Sequence, residues 1–329
     1  MKIYDDISKY GVIQEIDRIC GSNANNYPIR DKIARINDAL SQYFKLAFKV
    51  DGRWNFDDVN ETTPPIDTQD ISGTNRYKFS DFTEKIASLV KLEILDSSGN
   101  GLPLIPEKFT SLGLITGNAS GKISGLASDT FQELYVNASS GTPTHYCKYG
   151  DFIYLRPKPN YSYASGLIAY FNRPLTKHEL VTVTISNANP AVLTATAHGL
   201  VANDVILLVS DGTVPTGLAH NTVYYVVATV ADDTFSVAAT KGGSAIATTS
   251  AGSGLHSFLK LSGTPAIPED YHPFLARYAS IPFLIDNNKE QYNIQLGLLQ
   301  KDEEDIKSYF SSRDEDMKKR MTPNIEDVE

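Results

Sequence analysis

Apolar residues in the first fifty positions recur at helical spacing. After Pro28, apolar side chains advance in steps of three and four until Asp51-Gly52, which places them on one face of a helix. A shorter apolar run from Ile7 to Cys20 stops at Gly21, a residue that commonly ends helices. The pattern therefore predicts two N-terminal helices.

From residue 75 onward the apolar positions alternate with polar ones, which is typical of half-buried strands. Two of these runs flank Tyr149-Gly150-Asp151, a sequence that favours a hairpin turn. The strands predicted in this region are Ser88 to Leu95, Thr144 to Lys148, Phe152 to Leu155 and Gly166 to Phe171. Together they predict a β-subdomain.

Residues 181–259 differ in composition from the rest of the chain. They contain four acids and one base, and Thr, Val and Ala dominate between turn-forming Gly and Pro residues. Short apolar runs follow one another at roughly the 8–12-residue rhythm of a β-sandwich or barrel. These runs are Val181 to Ile185, Val192 to Thr196, Val205 to Val209, Val223 to Val230 and Thr234 to Ala238. We expect a compact all-β insert.

Helical spacing returns after this insert. Pro268 is followed by two acids, which favour the N-terminus of a helix, and the helix is expected to kink or restart at Pro282. A last helix from Asn288 leads into a charged stretch, Arg313 to Arg320. The chain is thus expected to end, as it begins, with a pair of helices.

The predicted fold class is α+β, with a helical bundle formed by the N- and C-terminal helices, a β-subdomain, and an inserted all-β sandwich or barrel domain. The expected organisation is a discontinuous helical and β domain at residues 1–180 and 260–320, the insert at 181–259, and a flexible tail at 321–329. At roughly 150 residues per domain, a length of 329 residues fits two domains.

The net charge of −9 counts against a nucleic-acid coat protein and against docking on an anionic membrane, because both need clustered cations. Two cysteines cannot cross-link a chain of this size and fit a reducing compartment. The acidic N-terminal decapeptide and the lack of any 18-residue apolar stretch count against a signal peptide or a membrane span. We therefore expect neither a membrane protein nor a secreted disulfide scaffold.

Local patterns give little support for catalysis. The segment from Gly117 to Lys122 resembles a phosphate loop, but it has one residue too few between its glycines, and Ile123 replaces the magnesium-binding Ser or Thr. Adjacent carboxylates occur at Asp57-Asp58, at Asp232-Asp233 and within residues 302–305, where turn capping and a solvated helix face account for them. We expect no catalytic residues, no cofactor and no metal, and hence no enzyme.

His145 and Cys147 lie two apart on a predicted strand and therefore face the same side. A nucleophile–base dyad is one interpretation of this spacing, and simple packing neighbours are the other. The six histidines are scattered, so a metal site would have to be assembled entirely by the fold.

Interaction chemistry is better represented. The chain has 18 tyrosines against one tryptophan, and tyrosine joins a large contact area to a polar tip, which suits protein interfaces. The candidate interface residues are Trp54, Phe56, Tyr146, Tyr149 and Tyr154. The mixed-charge C-terminal segment is a candidate docking peptide, with residues Arg313, Asp314, Asp316, Met317, Lys318, Lys319, Arg320 and Met321.

Several turns and strand ends form a recognisable set. They are Gly141-Thr-Pro-Thr-His-Tyr146, Gly150-Asp-Phe-Ile-Tyr-Leu155, Arg156-Pro-Lys-Pro159, Ala169-Tyr-Phe-Asn-Arg-Pro174 and Ile267-Pro-Glu-Asp-Tyr-His272. With the flanking helix pairs, this set resembles the head-to-tail adaptor (connector, head completion or neck) proteins of tailed bacteriophages over residues 1–180 and 260–320. The segment Thr196-Ala-His-Gly-Leu200 and its surroundings resemble a small β-domain of phage virion proteins.

This resemblance implies a structural virion protein whose ring, commonly twelvefold, joins the portal to the tail and lets DNA pass. The implied partners are the portal protein, a tail, nozzle or tail-tube protein and further copies of the chain, with fibres as an additional partner of residues 181–259. The tyrosine set would then form the ring interface, and the C-terminal segment would dock on the portal. The protein would be made in the host cytoplasm and end in the virion neck. The alternative is a tail-fibre, baseplate or neck-decoration protein that uses the β-insert for recognition.

Overall fold

The computed structural model of this chain describes residues 1–50, 64–107, 139–227, 231–250 and 252–312. Within them the fold is mixed α+β, which confirms the predicted class at that level. The helices of this part are α1 (Val12–Cys20), α2 (Ile29–Val50), α3 (His272–Asn287) and α4 (Lys289–Ser312). Strands occupy the chain between the two helix pairs, as the sequence predicts.

Two helix boundaries differ from the predicted ones. α1 starts at Val12 instead of Ile7, because the Asp5 carboxylate accepts hydrogen bonds from the backbone N–H of Ile7 and of Ser8 and holds a turn there. α3 continues through Pro282 to Asn287, so the break expected at this proline is wrong. The proline only removes the N–H that would bond to a carbonyl four residues earlier.

Aromatic side chains join the N-terminal helices to the C-terminal ones. The ring of Tyr43 in α2 lies 6.3 Å from that of Phe274 in α3 and 5.9 Å from that of Phe310 in α4, centroid to centroid. Tyr27, just before α2, stacks on Phe283 of α3 at 4.9 Å. Segments from opposite ends of the chain therefore share one apolar interior.

The residues between the helix pairs first form two four-stranded sheets. Their orders are β1-β10-β3-β4 and β2-β8-β7-β5, and β6 pairs with β9 in a small ladder. One cluster of buried side chains draws on both sheets and forms the core of this region. The strands are β1 (Ile66–Ser72), β2 (Arg76–Lys78), β3 (Ser88–Leu95), β4 (Gly101–Pro103), β5 (Ile105–Glu107), β6 (Ser140–Gly141), β7 (His145–Tyr149), β8 (Phe152–Arg156), β9 (Lys158–Pro159) and β10 (Ser162–Asn172).

The predicted all-β insert forms one seven-stranded sheet. Its strands are β11 (Val181–Ile185), β12 (Leu193–Thr194), β13 (Val205–Ser210), β14 (Thr222–Val226), β15 (Thr234–Phe235), β16 (Val237–Ala238) and β17 (His256–Lys260). They lie in the order β15-β12-β11-β17-β13-β14-β16. The two outermost strands, β15 and β16, are separated in the chain only by Ser236, so the sheet curls until it nearly closes. This geometry favours the barrel over the sandwich.

By its internal contacts the chain divides into two compact units. Of the described residues, the first unit holds 1–50 and those from 175 onward, and the second holds 64–174. The helices and the seven-stranded sheet thus belong to the first unit, and β1–β10 belong to the second. The predicted boundaries at 180 and 260 do not coincide with this division, and the three-part organisation stays a prediction.

Candidate interaction surfaces

A groove of about 340 Å³ opens between α2, α3 and α4 in the first unit. The residues that α2 contributes recur every three or four positions and so come from one face of that helix. They are polar or charged, whereas α3 and α4 contribute mainly apolar side chains. The groove is lined by Arg35, Asp38, Ser41, Gln42, Lys45, Tyr278, Ile281, Pro282 and Leu299.

Large apolar side chains on the helices of this groove extend into solvent. Ile285, one turn beyond Ile281 on α3, is 48% exposed. Ile294 and Leu298, one turn apart on α4, are also exposed. From residue 281 to 285 α3 is apolar in every direction, a pattern that belongs to a helix covered on all sides. In the single chain one of those sides faces water.

A second exposed apolar surface is the N-terminal turn, residues 5–10. Ile7 is 71% exposed and Tyr10 is 62% exposed, although the turn that carries them is ordered by hydrogen bonds. Ser8 Oγ donates to the Asp5 carboxylate and accepts from the backbone N–H of Tyr10 at 3.3 Å. Lys9 takes a φ of 57°, which closes the turn. The apolar side chains are therefore presented to solvent from a fixed backbone.

The tyrosines of the predicted interface lie on opposite faces of one sheet in the second unit. Tyr149 pairs with Phe152, and Tyr154 pairs with Cys147, so these side chains share the outer face of the β2-β8-β7-β5 sheet. Tyr149 is half exposed. Tyr146 points the other way, into the core, and burial raises the pKa of its phenol. The sheet thus brings Tyr149 and Tyr154 to one surface and keeps Tyr146 inside.

Basic side chains accompany these aromatic rings. The guanidinium of Arg76 lies 4.6 Å from the ring centroid of Phe152, and the Lys78 amine lies 5.9 Å from it. On the same face, Arg156 forms an ion pair with Glu107 at 2.6 Å. The face is therefore an aromatic and predominantly basic surface on a chain that is acidic as a whole.

His145 and Cys147 share this face, but the thiol lacks the properties of a nucleophile. Cys147 is fully buried, and burial, assisted by the charge of Glu107, raises the pKa of its thiol to about 11. The His145 ring pairs instead with the hydroxyl of Thr144 at 2.8 Å. Of the two interpretations of this spacing, the geometry favours packing neighbours.

We expect Cys147 to resist labelling by a thiol-specific disulfide reagent in the folded protein at pH 8. A pKa of about 11 leaves roughly one thousandth of the thiol ionised at that pH. The measurement is peptide mapping after labelling, first without and then with denaturant, with Cys147→Ser as the control. Labelling of native Cys147 at the rate of an exposed cysteine would restore the dyad.

The paired acids of the insert serve the backbone. Asp233 accepts a hydrogen bond from the N–H of Ala197 at 2.9 Å, and Ala197 takes a φ of 49°. The neighbouring ring of His198 accepts from the N–H of Leu200 at 3.0 Å and packs edge-on against Phe235. These contacts agree with the structural interpretation of the carboxylate pair and of the His-Gly turn.

The other candidates lie outside the described residues. They are Trp54, Phe56, Asp57, Asp58, the loop 117–122 and the docking residues 313–321. Over the described ranges, no three His, Cys, Asp or Glu side chains come together as a possible metal-ligand set. No helix of the described chain is long and apolar enough to cross a bilayer.

Comparison with models of known protein families finds no match, and a search of curated proteins finds no relative of this chain. The functional argument therefore rests on the surfaces described above.

Proposed function

We propose that this chain is a structural virion protein, not an enzyme, whose copies form a ring that joins the portal of a tailed bacteriophage to its tail and lets DNA pass. One structural observation supports this proposal beyond the resemblance of the sequence motifs. The first unit carries two unlike apolar surfaces in solvent, the N-terminal turn and the outer side of α3 and α4. Exposed apolar surface of this kind marks contacts with other proteins.

Two unlike surfaces favour a ring over a simple dimer. When one surface of a copy meets the other surface of the next, each complex keeps one of each unused and adds further copies. Such head-to-tail addition closes into a ring when the rotation between neighbours permits. In this proposal the four helices form a bundle that builds the ring, commonly of twelve copies.

The remaining partners follow from the same proposal. Residues 313–321 dock on the portal, a tail, nozzle or tail-tube protein lies on the other side, and fibres attach through residues 181–259. DNA passes through the ring without being held, because a net charge of −9 repels phosphates. No cofactor and no membrane take part. The chain is made in the host cytoplasm and ends in the virion neck.

A second candidate function is recognition by the seven-stranded sheet, as in a fibre, baseplate or neck-decoration protein. Val201 is 63% exposed and Leu255 is 55% exposed, both in segments that connect strands of that sheet. Loops held by a rigid sheet are common binding sites. In this function the rest of the chain would serve only as a holder.

The first test is cosedimentation of the purified chain with the matching portal ring, followed by imaging of the particles for rotational symmetry. We expect a stoichiometric second ring on the portal. A variant that lacks residues 313–329 should keep its fold, measured by circular dichroism, and lose portal binding. Trimers that do not bind the portal would favour the fibre or baseplate function, and portal binding by the truncated chain would contradict the docking assignment.

A further inference from the structure

We propose that the N-terminal turn of one copy docks in the groove between α2, α3 and α4 of the next copy. This inference rests on the proposed function, because it names the contact that would link neighbours in the ring. It commits to a second copy of this chain as the occupant of the groove. The argument uses the turn, the groove and the charges that each carries.

The turn has the form of a preorganised docking element. Ile7 and Tyr10 are among the most exposed large apolar side chains of the described residues, and hydrogen bonds from Ile7 N–H and Ser8 to Asp5 fix the backbone beneath them. An element that is already ordered loses less conformational entropy on binding than a flexible one. Because both side chains extend into solvent, the turn does not fill the groove of its own chain.

The groove has the size and the lining that two side chains require. Its volume of about 340 Å³ lies near the lower limit of ligand pockets, roughly 300–1,000 Å³, and so suits side chains better than a large cofactor. Ile281, Pro282 and Leu299 give it an apolar part, and Tyr278 adds an aromatic ring. An isoleucine and a tyrosine can bury their apolar surface there while the tyrosine hydroxyl stays near polar groups.

The charges of the turn and of the groove are complementary. Lys45 and Arg35 line the groove from α2, and Arg35 pairs with Asp38 at 3.1 Å, which leaves this wall with a net positive charge. The turn carries Asp5 and Asp6. Hydrogen bonds from Ser8 and from the backbone N–H of Ile7 lower the pKa of Asp5, so its carboxylate is ionised at neutral pH. Opposite charges of this kind favour one orientation of docking.

Cross-linking of two different single variants tests the contact directly. In a Cys20→Ser background, Tyr10→Cys and Lys45→Cys proteins are prepared separately, mixed and oxidised. We expect a disulfide-linked dimer that joins positions 10 and 45, identified by peptide mass spectrometry. The matched control replaces the second partner by Lys307→Cys, which is exposed on α4 but does not line the groove. Equal yields from both mixtures would overturn the proposal.

A substitution pair tests the same contact without new cysteines. Ile7→Ser with Tyr10→Ser is expected to weaken self-association at least about tenfold, because buried anchors of this type carry most of an interface's affinity. Both side chains are exposed, so the melting temperature should not change. Val201→Ser is the control, since Val201 is as exposed as Tyr10 but lies in the seven-stranded sheet region. Self-association is measured by sedimentation velocity over a concentration series.

The outcomes separate this inference from the proposed function. Rings that form normally from the Ile7→Ser, Tyr10→Ser variant, with no 10–45 cross-link, would overturn the docking contact and leave the ring function standing. Loss of portal binding with unchanged self-association would assign the turn to a different protein and also overturn it. A wild-type chain that stays monomeric, even on the portal, would overturn both.

Discussion

Replacing Asp17 by Ala is expected to lower the free energy of unfolding by about 3–5 kcal/mol, because it leaves a buried cation without its counter-ion. The Lys32 side chain is fully buried, and its amine lies 2.6 Å from Asp17 Oδ1 and 5.3 Å from the ring of Tyr27. Ser22 donates a second hydrogen bond to the same carboxylate oxygen at 2.6 Å. The measurement is urea unfolding of the full chain followed by circular dichroism.

Two companion variants show whether the lost counter-ion is the cause. Asp17→Ala combined with Lys32→Met should recover most of the stability, because a buried apolar side chain needs no charge partner. Asp38→Ala breaks the exposed pair with Arg35 and should cost at most about 1 kcal/mol. If Asp17→Ala and Asp38→Ala cost the same, the buried pair has no special role.

Elements with a strong local pattern could be predicted from the sequence. The strands Ser88–Leu95 and Val181–Ile185 have the predicted bounds, since alternation and turn residues define both ends locally. β1 (Ile66–Ser72) was not predicted, because it contains three polar or acidic residues in its centre and depends on pairing with β10. Such pairing with a partner about a hundred residues away leaves no local signal.

The candidate surfaces could be predicted only in part. The alternation of β7 already separates Tyr146 from Tyr149, so the sequence contained the signal that one tyrosine points inward. The N-terminal turn was assigned to a helix because Ile7 fits the helical spacing, although Asp5 and Ser8 favour a capped turn. The groove could not be predicted, since it needs α2 beside helices that lie more than two hundred residues later.

Lowering the pH from 7 to 4 is expected to remove about 3 kcal/mol of stability through His178 alone. Burial lowers the pKa of its imidazole from 6.5 to about 4, because the charged ring would lose its hydration. Between these two values the unfolded chain binds a proton that the folded chain does not. The contribution of His178 is therefore complete above pH 6.5, falls as the pH decreases through this window, and is lost below about pH 4.

The variant His178→Gln isolates this effect, because it removes the titrating ring and keeps the backbone contacts. The N–H and C=O of residue 178 bond to the side-chain amide of Asn37 at 2.9 and 2.8 Å, and neither bond needs the imidazole. Urea unfolding at pH 7, 6, 5 and 4 should give a shallower loss of stability for the variant than for the wild type. Some slope will remain, since burial also lowers the pKa of His272. Parallel curves for the two proteins would show that His178 takes up its proton equally well in the folded state, and hence that its burial does not disfavour the charge.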